Sequence, residues 1–163
     1  MFTRTVKVFT HTVNGILLAL CTVTAPTAFA ACLALTSHPD GRSLAEVSLS
    51  QDPADFTIGY MHSVTRTLVV ERYKLAGSEI VETEMRFEQH GPGLPTEADA
   101  GGTFTRSNGH FIVTMDRHFP AIVMQVHQDQ MPRLSARTRT LDLAQWGNRA
   151  LALAGSPEPC AGP

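Results

Sequence analysis

The residues Phe56 to Leu75, FTIGYMHSVTRTLVVERYKL, show the clearest strand pattern in the chain. Apolar and aromatic residues occupy every second position on both sides of a short polar segment, which is typical of two antiparallel strands joined by a turn. A two-residue turn at Thr65-Arg66 would pair Tyr60 with Glu71. We therefore predict a hairpin here, and we expect an all-β domain to be organised around it.

This register gives the hairpin one apolar and aromatic face that also carries a histidine and a glutamate. The face comprises Phe56, Ile58, Tyr60, His62, Val69, Glu71, Tyr73 and Leu75. His62 and Glu71 are diagonal neighbours in this register, and a four-residue loop would place them directly opposite each other. Because such groups need partners on an apolar face, three interpretations stay open: a hydrogen-bonded pair that fixes the hairpin, a ligand or metal site, and general acid–base catalysis.

Other short runs with strand character, separated by clusters of turn-forming residues, predict further strands along the chain. We expect them at residues 32–36, 43–50, 79–87, 103–106, 110–115, 121–126 and 149–154. In the strand after the hairpin, Glu79–Phe87, strict alternation places Glu82 on the solvent-facing side. The segment 127–140 is polar, and the best helical candidate is Leu141–Trp146. The fold prediction is a single antiparallel sandwich or barrel-like domain of about 8 or 9 strands.

The first 30 residues have the features of a secretory signal peptide. Arg4 and Lys7 form a positive start, Ile16–Val23 is a short apolar run, and Ala28-Phe29-Ala30 fits a cleavage site. The apolar run is shorter than the roughly 20 residues that a membrane-spanning helix needs. We therefore predict a periplasmic or secreted protein with no membrane span after cleavage. Its parts would be a signal peptide at 1–30, a β-domain at 31–154 and a C-terminal tail at 155–163.

The charge balance argues against two classes of partner. Without Arg4 and Lys7, the 13 basic residues of the chain become 11 against 15 acidic ones, a formal net charge of −4. A mildly acidic domain with no basic cluster is a poor partner for nucleic acid or for an anionic membrane surface.

The two cysteines that remain after cleavage, Cys32 and Cys160, have three interpretations. In an oxidising compartment they would form a disulfide. Alternatively, the small residues before Cys32 fit lipidation, although Phe29 stands where a lipoprotein signal has leucine, and acylation would anchor the protein to the inner or outer membrane. Two free thiols are the third interpretation.

The loop over residues 88–102 is a second candidate region for function. Its segment Gly91-Pro92-Gly93-Leu94-Pro95 is rigid and shaped, and long loops in small domains are often functional. This loop could close over the hairpin face, so the candidate ligand-binding residues are Tyr60, His62, Glu71, Gly91, Gly93 and Pro95. The sequence has no HxH, HExxH or CxxC spacing, no cofactor fingerprint and no nucleophile elbow. We assign no cofactor and no catalytic residue, and metal binding stays open.

These motifs resemble those of a known bacterial family. The pattern F-x-I-x-Y-x-HSV at Phe56–Val64, the glutamate Glu71 and the later G-x-GLP at Gly91–Pro95 are similar to the family of domain of unknown function 1850. The likeness extends over roughly residues 32–154, and Pro92 departs from the small residue that the family often has there. The resemblance implies no activity. It implies a small exported protein of the kind often encoded beside tripartite periplasmic transporters for organic acids.

We therefore expect a non-enzymatic role, as an exported accessory or small-ligand-binding protein that works with a periplasmic solute transporter. Its partners would be a transporter component or a small organic acid. Two alternatives stay open: a hydrolase or metal-dependent enzyme that uses His62 and Glu71, and a structural adaptor that binds a partner protein along an exposed sheet edge.

Overall fold

The computed structural model describes residues 31–49, 53–137 and 139–161, and these residues form an all-β sandwich. The predicted signal peptide, residues 1–30, lies outside the described residues. The strands are β1 (Ala31–Ser37), β2 (Ser43–Leu49), β3 (Asp55–Met61), β4 (Leu68–Ala76), β5 (Glu79–Phe87), β6 (Thr103–Ser107), β7 (His110–Phe119), β8 (Ala121–Val126), β9 (Arg133–Ala136), β10 (Arg139–Asp142) and β11 (Arg149–Ser156). The predicted fold class is confirmed.

The strands form two antiparallel sheets of unequal width. The four-stranded sheet has the order β2-β1-β11-β8, and the seven-stranded sheet has the order β10-β9-β3-β4-β5-β7-β6. Two packed sheets are a sandwich, so the barrel-like alternative does not apply. The central hairpin, β3 and β4, lies in the middle of the wider sheet, where it has neighbours on both sides.

The strand count exceeds the prediction, because the described residues contain eleven strands and the segment 127–140 was expected to contain none. That segment supplies β9 and the start of β10. Each of these strands has four residues and buries only one, Leu134 or Leu141, so hydrophobic alternation is too short to be visible in the sequence.

Helical structure in the described residues is limited to two 3-10 turns. The first two residues of the helical candidate Leu141–Trp146 belong to β10, and a 3-10 turn covers only Leu143–Trp146. The side chain of Asp142 caps this turn by accepting a hydrogen bond from the backbone N–H of Ala144. Across the described part of the chain, therefore, no helix has the length and apolar character needed to cross a membrane.

The central hairpin forms, but its register differs from the predicted one by two residues. Ile58 pairs with Glu71, where the prediction had Tyr60, and strand pairing gives way to a connection at residues 62–67. A two-residue turn at Thr65-Arg66 would need positive φ angles at both residues, which a β-branched threonine disfavours. Because the shift is even, every side chain keeps its predicted face. The predicted face is buried or half-buried throughout.

Two hydrophobic cores lie against the inner face of the seven-stranded sheet. The first core lies between the two sheets and includes Leu33, Phe56, Tyr73 and Leu153. The second core is built from β4, β5 and β7, and the loop 88–102 covers it through the buried Leu94. Among the described residues, the four-stranded sheet contributes nothing to this second core. The loop therefore covers one half of the wide sheet, and the four-stranded sheet covers the other half.

A disulfide joins the ends of the domain. β1 and β11 are neighbouring strands, and Cys32 lies opposite Ser156, so the tail after Ser156 returns Cys160 to Cys32. The Cα atoms of the two cysteines are 4.9 Å apart. Of the three interpretations of the cysteine pair, this is the one that the structure contains.

We predict that loss of the disulfide lowers the free energy of unfolding by about 4 kcal/mol, because the bond closes a loop of 128 residues and so restricts the unfolded chain. Urea denaturation of Cys160→Ser, compared with the oxidised wild type, measures the loss. The control is a reducing agent, which should destabilise the wild type to the level of the variant and leave the variant unchanged. Equal unfolding midpoints for oxidised wild type and variant would contradict the prediction.

Candidate functional site

A half-buried carboxyl group with two tyrosine donors lies at the middle of the hairpin face. Tyr60 donates a hydrogen bond to Oε1 of Glu71 at 3.0 Å, and Tyr73 donates to Oε2 at 2.6 Å. Tyr73 is two residues from Glu71 on β4, and Tyr60 lies on the adjacent strand β3, so strand alternation alone brings all three to one face. Each carboxylate oxygen of Glu71 therefore has its own hydroxyl donor.

Burial dominates the electrostatics of this group. It raises the pKa of Glu71, while the hydrogen bonds from Tyr73 and Tyr60 and the charge of Arg117 oppose that rise. Burial, together with the nearby Glu71 charge, also raises the pKa of both tyrosine hydroxyls far above the usual range. The hydroxyls consequently stay protonated at neutral pH and remain donors to Glu71 there.

A cavity of about 220 Å³ opens beside Glu71, between the hairpin and the edge strand β8. Apolar side chains form most of its wall, and four polar residues face it as well. The lining comprises Ile58, Ile122, Met124, Val126 and Pro132 with Tyr60, Glu71, Gln125 and Gln130. An apolar cavity with a few fixed polar groups is the usual form of a small-molecule site, although the volume of this one is below the roughly 300 Å³ at which the usual range begins.

A second carboxyl group, that of Glu82, lies buried on the adjacent strand β5. Its residue is 4% exposed, it lies opposite Tyr73 in the β4–β5 ladder, and its Oε2 is 3.6 Å from Nη1 of Arg117. Its Oε1 has no hydrogen-bond partner among the described residues. Burial and the charge of Glu71 raise the pKa of Glu82 to about 7, although Arg117 opposes the rise. We call Tyr60, Glu71, Tyr73 and Glu82 the buried polar cluster.

The prediction that Glu82 faces solvent is wrong, and a β-bulge is the reason. The register shifts between Glu82 and Glu84 in the β5–β7 ladder, and it shifts between Arg72 and Tyr73 in the β4–β5 ladder. The extra residue, Thr83, reverses the alternation, so Glu82 and Met85 both point inwards. The inward position of Glu82 could not be predicted by counting alternate residues back from Phe87, because no residue such as glycine marks the bulge in the sequence.

Arg117 connects the buried polar cluster to the loop 88–102. Its Nε and Nη2 donate to Oδ2 and Oδ1 of Asp99 at 2.5 and 2.9 Å, a bidentate pair. This guanidinium lowers the pKa of the Asp99 carboxyl. Since the same guanidinium also lies near Glu82, Arg117 interacts with a carboxylate in the sheet, Glu82, and with a carboxylate in the loop, Asp99.

His62 is buried, but it stabilises backbone rather than pairing with Glu71. Its Nδ1 accepts hydrogen bonds from the backbone N–H groups of Val64 and Thr65, each at 3.2 Å. That leaves Nε2 to carry the proton and donate to the carbonyl oxygen of Pro92 at 3.1 Å. The predicted His62–Glu71 neighbours therefore have separate partners, because β3 ends before His62 and the imidazole belongs to the 62–67 connection.

Gly91, in the loop 88–102, lies very close to the imidazole of His62. A Cβ atom on Gly91 would lie 2.6 Å from Cε1 of His62, so only glycine allows the approach. The loop atom that His62 contacts is the backbone carbonyl oxygen of Pro92. Every residue type has such an oxygen, so a proline at this position is compatible with the contact.

The residues predicted to bind a ligand divide into two groups. Tyr60 and Glu71 line the cavity, whereas His62 and the loop residues Gly91, Gly93 and Pro95 are not among its lining residues.

The fold and the site together define an antiparallel β-sandwich domain with a half-buried, tyrosine-bound carboxyl group beside a small cavity. The chain belongs to the family described as domain of unknown function (DUF1850), which matches residues 56–143, more than half of the 163-residue chain. The match includes the whole buried polar cluster, Arg117 and the loop 88–102. Comparisons with curated proteins and with solved structures found no match.

We predict that the wild-type protein loses stability as the pH rises. The pKa of Glu82 is higher in the folded protein than the usual value of 4.5, so the folded state binds more protons than the unfolded state between about pH 4.5 and 7. Replacing Glu82 by Gln should remove much of this slope and raise stability near pH 8 by about 2 kcal/mol.

Urea denaturation at several pH values measures this effect. The matched control is Glu84→Gln, which removes the same charge two residues away, where the side chain is more exposed. Glu71 also has a raised pKa, so a small slope of the same sign should persist in Glu82→Gln. A pH slope in Glu82→Gln equal to that of wild type would show that Glu82 ionises normally.

Proposed function

We propose that this protein is a small-ligand-binding protein whose site is the cavity beside Glu71. The observation that carries the proposal is the pairing of that cavity with a carboxyl group held in place by Tyr60 and Tyr73. A fixed acceptor in an apolar wall gives orientation and specificity to a bound molecule. The cavity volume of about 220 Å³ limits the ligand to a few non-hydrogen atoms.

The chemistry of the wall favours a ligand that presents a hydrogen-bond donor. Both hydroxyls already donate to Glu71, so a ligand that meets this carboxylate needs an N–H or O–H group of its own. An ammonium group would also be attracted by the charges of Glu71 and Glu82. A simple organic anion would be repelled by them, so an organic acid would have to meet Glu71 with a hydroxyl or ammonium substituent.

The hydrolase or metal-dependent enzyme alternative has less support. Both ring nitrogens of His62 are engaged with backbone groups, so neither is free to transfer a proton. The one group of three metal-ligating residue types among the described residues is Cys32, Glu46 and Cys160, and its cysteines are bonded to each other. The adaptor alternative rests on sheet edges alone, which every open sandwich has.

We further propose export to the periplasm and work alongside a solute transporter. The predicted signal peptide and the Cys32–Cys160 disulfide support export, since disulfides persist in oxidising compartments. The transporter association rests on the family resemblance alone. The mass of the mature protein tests export, because cleavage after Ala30 and acylation at Cys32 give different products.

Ligand binding can be tested with small probes of opposite chemistry. Ethanolamine and propane-1,3-diol carry donors, whereas propionate is a matched anion. We expect the donors to raise the melting temperature and to bind in calorimetry, and we expect propionate not to bind at this cavity. Glu71→Gln should weaken ethanolamine binding by about tenfold or more, because it removes a charged acceptor. Ile122→Phe should abolish binding by filling the cavity.

The matched control is again Glu84→Gln, which should bind as wild type does. Circular dichroism establishes that each variant is folded before its affinity is compared. If ethanolamine binds Glu71→Gln and Glu84→Gln equally well, Glu71 is not the recognition group. If no donor probe binds the wild type, the cavity is not a site for this ligand class.

A further inference from the structure

The outer face of the seven-stranded sheet carries a groove whose floor is a glycine. Gly59 on β3 lies opposite Val70 on β4 and opposite Arg133 on β9, so these three residues form one row across the outer face. Because Gly59 has no side chain, the row is open at its middle, and a depression of about 400 Å³ results. We call it the outer groove; Met61, Leu68, Val70, Met131 and Arg133 surround Gly59.

The walls of the outer groove are unusually apolar for a solvent-facing surface. Only four large hydrophobic residues in the described part of the chain are exposed, and two of them, Leu68 at 50% and Met131 at 53%, line this groove. Met61 and Val70 lie beside them and are partly exposed. Adjacent apolar side chains that remain in water mark an interaction site more often than scattered ones do.

Met131 is also held in a conformation that is unfavourable for its residue type. Its backbone has φ 48° and ψ 48°, in the left-handed region that favours glycine. Its backbone N–H closes the 3-10 turn Gln128–Gln130 by donating to the carbonyl oxygen of Gln128 at 3.1 Å, and this geometry leaves the side chain of Met131 exposed. Non-glycine residues held in the left-handed region cluster at ligand sites.

Arg133 on β9, beside Gly59, supplies a positive charge. Arg133 makes no ion pair and no side-chain hydrogen bond with any of the described residues, unlike Arg66, Arg72 and Arg117. The hydroxyl-bearing side chains of Thr57 and Ser135, which are paired across β3 and β9, line the groove in the next row. The row at Thr57 and Ser135 is thus rich in donors, the row at Gly59 carries the Arg133 charge, and the row at Met61 and Leu68 is apolar.

We propose that the outer groove binds a small carboxylate carried on a short apolar chain. The Arg133 guanidinium would hold the carboxylate with help from the hydroxyls of Thr57 and Ser135, because a guanidinium donates two parallel hydrogen bonds to such a group. The apolar chain would cross Gly59 and lie against Leu68, Val70 and Met131. This site shares only the lining residue Tyr60 with the cavity beside Glu71, and its ligand has the opposite charge preference.

Octanoate is a suitable probe, with octan-1-ol as the uncharged molecule of the same chain length. We expect millimolar octanoate to shift the NMR signals of the Met61 and Met131 methyl groups and to bind in calorimetry. Octan-1-ol should bind about tenfold more weakly, because it lacks the charge-assisted hydrogen bonds. Arg133→Gln should lower octanoate affinity to the level of octan-1-ol.

Two further variants separate binding from folding. A Cβ on Gly59 would meet its nearest atoms at 3.8 to 4.0 Å, an ordinary contact, so Gly59→Val should fold normally while filling the groove and abolishing binding. Met131→Gly should raise the melting temperature by relieving the left-handed backbone, yet weaken octanoate binding. Val123→Ala, at an equally exposed apolar residue on β8, should change neither property.

Three results would overturn the proposal. They are equal affinity for octanoate and octan-1-ol, undiminished octanoate binding by folded Gly59→Val, and no shift of the two methyl signals at millimolar octanoate. Glu71→Gln distinguishes this site from the cavity, since it should leave octanoate binding unchanged while it weakens ethanolamine binding. A negative result for octanoate therefore does not contradict ligand binding in the cavity beside Glu71, and a negative result for ethanolamine does not contradict binding in the outer groove.

Discussion

A carboxyl group that is taken out of water must receive hydrogen bonds from the protein, and this requirement governs the centre of the fold. Glu71 meets it with Tyr60 and Tyr73, whose rings belong to or pack against the core between the sheets. Tyr60 also packs against the second core under the loop. The buried polar cluster therefore lies where the two cores meet, and the cavity opens where the narrower sheet ends at β8.

The second carboxyl group extends this arrangement to the loop. Glu82 shares Arg117 with Asp99, so the residues 88–102 are tied to the interior of the wide sheet by charge. At its other end the same loop is tied by His62, which donates to the Pro92 carbonyl. A loop fixed at both ends can replace a missing second sheet over an apolar core. The histidine and glycine-rich motifs thus build this cover, and Glu71 is left to face the cavity.

The sequence predicted the parts of this structure that depend on local alternation. The all-β fold, the bounds of β5 and β8 and the inward face of the hairpin follow from residue parity, which survives a register error of two. The partners of Glu71 could not be chosen in advance, because His62 and two tyrosines share one face and only the length of the 62–67 connection decides between them. Glu82 was hidden by a bulge, and β9 and β10 by their brevity.

The carboxyl groups of Glu71 and Glu82 are withdrawn from water where the two cores meet, and Oε1 of Glu82 has no hydrogen-bond partner among the described residues. Carbon-13 NMR of the glutamate side-chain carboxyls, followed as a function of pH, measures the effect of this burial. We expect Glu82 to titrate near pH 7 and Glu71 to titrate above the usual glutamate range. If every glutamate instead titrates with an ordinary pKa, neither group is buried in this way, and the cavity loses the fixed acceptor on which the proposed function depends.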